Sequence, residues 1–151
     1  MTTSLGPFTF LNAILCEDAR QDINNKFILI GVFSENILIS QIPGNFSIAI
    51  YLEARCETAE EQILYLKLSG PGEGSAIFKV RVTFNEAGRI GVIATPQMTI
   101  GVTASGTFRI DVSLDEKEWV NLISKEVSQG LAATTPQLSS ISLSAAPDKA
   151  P

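Results

Sequence analysis

NFSIAIYLEAR, residues 45–55, decides the fold class. Phe46, Ile48, Ile50, Leu52 and Ala54 fall on one side of an extended chain, and Ser47, Ala49, Tyr51, Glu53 and Arg55 on the other. Alternation with a period of two is the pattern of a strand with one face in a core, because successive side chains point to opposite sides. IFKVRVTF (77–84) repeats it, with Phe78, Val80, Val82 and Phe84 expected inward and Lys79, Arg81 and Thr83 outward. So does TFRIDVSL (107–114), with Phe108, Ile110, Val112 and Leu114 inward and Arg109, Asp111 and Ser113 outward. Both read as half-buried antiparallel strands.

Working outward, Gln62 to Ser69 aligns Leu64, Leu66 and Leu68, and Met98 to Thr103 aligns Met98, Ile100 and Val102. Trp119 to Val127 reads as a return strand paired with residues 107–114. SGPGEGS (69–75), NEAGR (85–89), ASG (104–106) and LDEKE (114–118) place Gly, Asn or Asp where the backbone must reverse. Eight or nine short strands at this spacing, without an amphipathic helix, describe an all-β fold. The expected architecture is a two-sheet antiparallel β-sandwich, immunoglobulin-like or jelly-roll, with a closed barrel as the alternative. A Cys…Trp…Cys pattern is missing, so an antibody-type domain is not expected. Residues 1–130 form the expected domain. Residues 131–151, LAATTPQLSSISLSAAPDKAP, are poor in bulky side chains and read as a disordered tail with a brief extended contact at 141–143.

Composition narrows the function classes. With 151 residues, one domain can bury a core without help from metals or disulfides. Charged residues are only 18% of the chain, a thin coat that suits a protein living in an assembly. A net charge of −5 and eleven Lys and Arg with no run among them argue against nucleic acid as the ligand. No stretch approaches a membrane span, and the start has no basic region before its apolar stretch. A cytoplasmic location, free or in a particle assembled there, is therefore expected. Cys16 and Cys56 read as buried, reduced thiols. The absence of histidine removes the commonest general base and metal ligand, and no cofactor is expected.

Candidate chemical motifs are weak. SGPGEGS lacks the Gly-Lys-Ser/Thr of a phosphate loop and leads into a strand rather than a helix. Glu57, Glu60 and Glu61 crowd a loop and read as solvated rim charges. Asp18, Asp22 and Asn24 lack the glycine and distal glutamate of a calcium loop, so no metal site is expected. The NFS at Asn45 matches a glycosylation acceptor but reads as accidental without a secretory signal.

ILCEDARQD…NKFILIGVFSENILI (14–22 and 25–39) resembles the start of an uncharacterised bacterial family of small all-β proteins, a domain-of-unknown-function group. There an apolar strand ends in Cys-Glu-Asp-x-Arg, and a Lys leads into a strand reading Leu/Ile-Ile-Gly-Val-Phe/Tyr. The resemblance covers about the first third of the chain and implies a fold class and a bacterial or phage setting, but no reaction. The tail from Gly130 falls outside it.

Within that segment EDARQDINNK (17–26) reads as a structured hairpin connection. Ile23 is expected to plug it, and Arg20 to pin it by a forked pair with Glu17 or Asp18. The competing reading makes Asp18 and Arg20 a binding cluster. The flanking strands are apolar on both faces. Leu11, Ala13 and Leu15 oppose Phe8, Phe10 and Ile14; Phe27 and Leu29 oppose Ile28 and Ile30; and 36–42 adds Ile37, Leu38, Ile39 and Ile42. A sheet apolar on both faces needs a second cover. The expected cover is another copy of the chain or another protein, contacting Leu11, Leu15, Ile28, Ile30, Ile37 and Ile39; the alternative is the tail or a long loop.

The leading reading is thus a non-enzymatic structural or binding module in a homo-oligomer or larger assembly. Two others stay open: a carbohydrate-binding sandwich using Tyr51, Tyr65 and Trp119, and a hydrolase bringing carboxylates such as Asp18 and Glu57 together.

Overall fold

The computed structural model describes residues 2–72 and 74–130. The expected tail and its contact at 141–143 lie outside the described residues. Eleven strands follow in order: β1 (Thr3–Leu5), β2 (Phe8–Gln21), β3 (Phe27–Val32), β4 (Asn36–Ile39), β5 (Gly44–Cys56), β6 (Gln62–Ser69), β7 (Ser75–Val82), β8 (Ile90–Ala94), β9 (Met98–Val102), β10 (Gly106–Ser113) and β11 (Val120–Gln129). None of the described residues forms a helix long and apolar enough to cross a membrane.

β2 and β5 are the long central strands of the first sheet. β1 and β3 pair with successive parts of the outer edge of β2, and β8 and β9 with successive parts of the far edge of β5. The second sheet runs β4-β11-β10-β6-β7, with β4 parallel to β11. The chain changes sheet between β3 and β4, β4 and β5, β5 and β6, β7 and β8, and β9 and β10. The order β11-β10-β6-β7 is that of the G-F-C-C′ sheet in immunoglobulin-type sandwiches. The fold is therefore a two-sheet sandwich of that type, as the alternation implies.

Ile48, Ile50 and Leu52 of β5 face Leu64, Leu66 and Leu68 of β6 and Phe108, Ile110 and Val112 of β10 in one core. Phe8 joins them, with Phe84 edge-on at 6.3 Å between ring centroids.

The two apolar faces of β2 have a local cause. The register with β5 shifts between Phe10 and Asn12, where β2 carries one residue more than its partner. Such a β-bulge exchanges the inward and outward parity. Phe8 and Phe10 point into the core before it, and Leu15 after it. Leu15 is therefore a core residue and not part of an interface. β4 corrects the expectation in the same way. Its parallel pairing on β11 turns Ile37 and Ile39 into the core and leaves Leu38 57% exposed.

Other departures are smaller. β1 and β8 lie outside the nine expected strands. In β7 only Val82 is buried, and Phe78, expected inward, is 41% exposed. Asp111 and Ser113, expected outward and wet, are buried at hydrogen-bonded positions. Asp111 Oδ1 accepts from Asn121 Nδ2 at 2.9 Å and from Arg109 Nη2 at 3.2 Å. Ser113 Oγ accepts from the amides of Asp115 and Glu116 and donates to Asp115 Oδ1.

Candidate functional site

EDARQDINNK is a β-hairpin end, and Asp22 shapes it. Asp22 Oδ1 accepts from the amides of Asn24 at 2.8 Å and Lys26 at 2.9 Å, and the Asp22 amide donates to Lys26 O. An Asp that satisfies the backbone two and four residues on closes a tight turn, and Asn25 takes the left-handed conformation it needs at φ 62°. Arg20 forms the expected pair with Asp18, but along the strand and not across the turn. Its Nε meets Asp18 Oδ2 at 2.7 Å, two residues along the same strand, while Glu17 lies elsewhere, beneath Gly31. Nor does Ile23 plug the turn. Ile23 sits at the tip and is 98% exposed, because the carboxylate of Asp22 already fills the loop.

Beyond Cys16 the hairpin leaves the plane of its sheet. The β2–β3 ladder omits the Glu17–Gly31 pair, and Gly31 is left-handed at φ 65°. The left-handed backbone there favours glycine, and any Cβ would also have to displace the Glu17 side chain, whose carboxyl carbon lies 2.7 Å from its position. Gln97, on the far side of β5, donates to Glu17 O at 3.0 Å, and Phe27 meets Tyr51 on the outward face of β5. The hairpin therefore lies across the outward face of the first sheet. Cys16 and Ala49 are fully buried at outward positions beneath it. Cys16 donates to Asp18 O at 3.3 Å and Ala49 O at 3.5 Å, and burial pushes its thiol pKa up. Both cysteines are free thiols and buried.

This hairpin supplies the second cover that the apolar strands demand. It creates a new surface in doing so. Phe27 and Leu29 are half-buried, whereas Ile28, Ile30 and Val32 are 49%, 42% and 53% exposed. Ile28 lies beside Arg20 and Ile30 beside Asp18. Of the expected contact residues, Ile28 and Ile30 thus stand on the surface, Leu11 is half-buried at the bulge, and Leu15, Ile37 and Ile39 are in the core.

The other candidates do not assemble. Cys56 pairs with Phe8 and Ala49 with Cys16, so Glu57 and Asp18 lie beyond opposite ends of the β2–β5 pair, which spans roughly 25 Å at the rise of a strand. Tyr51 packs under Phe27 on one sheet, while Tyr65 and Trp119 belong to the other. Lys67 Nζ sits 4.2 Å from the centroid of the Trp119 ring and occupies that face. An open groove of about 610 Å³ runs between β7 and β8, floored by Val80, Val82, Phe84 and Ile93. Its acidic residue, Glu86, is paired with Arg89 at 2.9 Å. Among the described residues no three His, Cys, Asp or Glu side chains group as a metal site would need.

Among solved structures, the chain is similar to β-glucosidase from Listeria innocua in two complexes. With glucose, the identity is 13% over 57% of this chain and 14% of that one, at a TM-score of 0.35. With gluconolactone it is 14% over 65% of this chain and 16% of that one, at a TM-score of 0.38. Likeness at that level carries no argument about activity. A search of curated proteins found no match. A family model does match, over residues 11–122, well beyond the first third and ending before Gly130. The chain belongs to that family, described as a family of unknown function (DUF6941).

Proposed function

We propose that this domain is a non-enzymatic protein-binding module that docks a partner on the solvent side of the β2–β3 hairpin. One observation carries the reading: Ile28, Ile30 and Val32 stand in a short strand with nearly half or more of their surface in water. Hiding the exposed half of such a side chain is favourable by about 1 kcal/mol each, so the surface gains from a partner. Asp18 and Arg20 beside it give a polar rim of both signs, which orients a partner more than it binds one. Ile23 at the tip extends the apolar surface.

The test is a pull-down with the full chain as bait, against a double variant carrying Ile28→Lys and Ile30→Glu. Both positions are exposed, so the variant should keep the wild-type melting midpoint. The expected result is loss of the retained partner with the variant. Identical retained proteins for both baits would contradict the reading.

A further inference from the structure

We infer that the partner on this hairpin is a second copy of the chain, joined by antiparallel pairing of β3 with β3 around Leu29. This rests on the protein-binding reading and names its occupant. The first support is the contrast among sheet edges. β3 pairs only with β2, so its other edge is open. The other open edge segments are shorter or carry charge, which discourages pairing with another chain. β1 has three residues and β4 four. β7 carries Lys79 and Arg81, and Pro96 separates the five-residue β8 and β9. β3, six residues reading FILIGV, has no charge and no proline.

The second support is charge. Lys26 precedes β3 and Glu35 follows it; both are exposed, and neither has an ion-pair partner among the described residues. A parallel arrangement would set like charges together. Antiparallel pairing brings Lys26 of one copy towards the end that carries Glu35 in the other. A two-fold interface needs this kind of self-complementary surface.

The register follows from the backbone. Gly31, at φ 65°, ends the regular extended run, so the usable stretch is Phe27–Gly31, centred on Leu29. In that register Ile28 lies opposite Ile30 of the other copy, twice, and Phe27 opposite Gly31. Two exposed pairs of isoleucines then cover each other on one face. A slip of one residue would set Ile28 opposite Gly31 or Leu29 and Ile30 opposite Leu29 or Phe27, and would break both isoleucine pairs.

Cross-linking of two single variants of the full chain, Ile28→Cys and Ile30→Cys, tests this under mild oxidant. The native cysteines are buried and contribute little background. Directly opposed strand residues lie within disulfide reach, whereas residues displaced by two along the strand do not. The mixture should give a disulfide-linked dimer at least about tenfold faster than either variant alone. A dimer by light scattering without preferential linking in the mixture would put the second copy on another surface and overturn the inference. A wild-type chain that stays monomeric at about 100 μM would overturn it too, since a dimer with a dissociation constant of about 1 μM is largely assembled there. Neither result touches the partner-retention test of the protein-binding reading, which stands or falls separately.

Discussion

Phe27 and Tyr51 meet edge to face, with ring centroids 5.5 Å apart and planes at 67°. Phe27 lies opposite Gln21 on β2 and Tyr51 opposite Ile14, so the rings belong to positions seven residues apart along one strand. That is roughly 23 Å at the rise of a strand, and only a hairpin folded across the sheet brings them together. Burial, and secondarily the charge of Glu53, raises the Tyr51 phenol pKa above its ordinary 10.0. Phe27→Ala should therefore return the Tyr51 pKa towards 10.0 in an ultraviolet titration. It should also cost more than about 1 kcal/mol, because the aromatic pair is lost together with the burial of the half-buried ring. The sign for the wild type is fixed: a phenol held protonated by folding gives stability that is present below pH 10 and lost as pH rises through the folded pKa. An unmoved Tyr51 pKa in the variant would mean the hairpin does not cover it.

Asp115 makes the opposite prediction at the other end of the pH scale. Its carboxylate lies below the usual range because the amides of Glu118 and Lys117, and then the Ser113 hydroxyl, hydrogen bond it. The stability it contributes is present above its unfolded value of 3.8 and lost as pH falls through the lower folded value. Urea midpoints of Asp115→Asn should thus fall less than those of the wild type on acidification below that value. Parallel curves would exclude a role for the ionised turn.

What the sequence made legible was set by regularity. β5, β6 and β10 keep one parity from end to end, so their core residues were readable from alternation alone. β2 was not, because the extra residue at Leu11 and Asn12 changes parity without any Gly or Pro to announce it. Leu15 therefore read as a surface residue. In β4 both faces are apolar and the strand is only four residues long, so alternation could not tell Ile37 and Ile39 from Leu38. The hairpin's position over the sheet had one sequence signal, Gly31 within an otherwise β-branched and apolar run. The turn chemistry of Asp22 is legible in DINN, whereas the denser charge of EDAR runs along the strand, where Arg20 pairs with Asp18.

The contrast between Ile23 and Leu66 checks the placement of the apolar residues. Leu66 is fully buried and Ile23 is 98% exposed, although both are large aliphatic residues. Leu66→Ala should cost about 2–5 kcal/mol in chemical denaturation, through lost transfer energy and a cavity. Ile23→Ser should stay within about 0.5 kcal/mol of the wild type. A comparable loss at Ile23 would restore it as a plug inside the turn.

Light scattering of the full chain at about 100 μM, beside the single variant Ile30→Glu, tests association through the hairpin most directly. The account predicts a wild-type mass of twice 16.2 kDa and a folded variant at 16.2 kDa, because a carboxylate at the centre of an apolar contact stays unpaired and cannot be desolvated. A wild-type mass of 16.2 kDa, or a dimer that the substitution leaves intact, would contradict it.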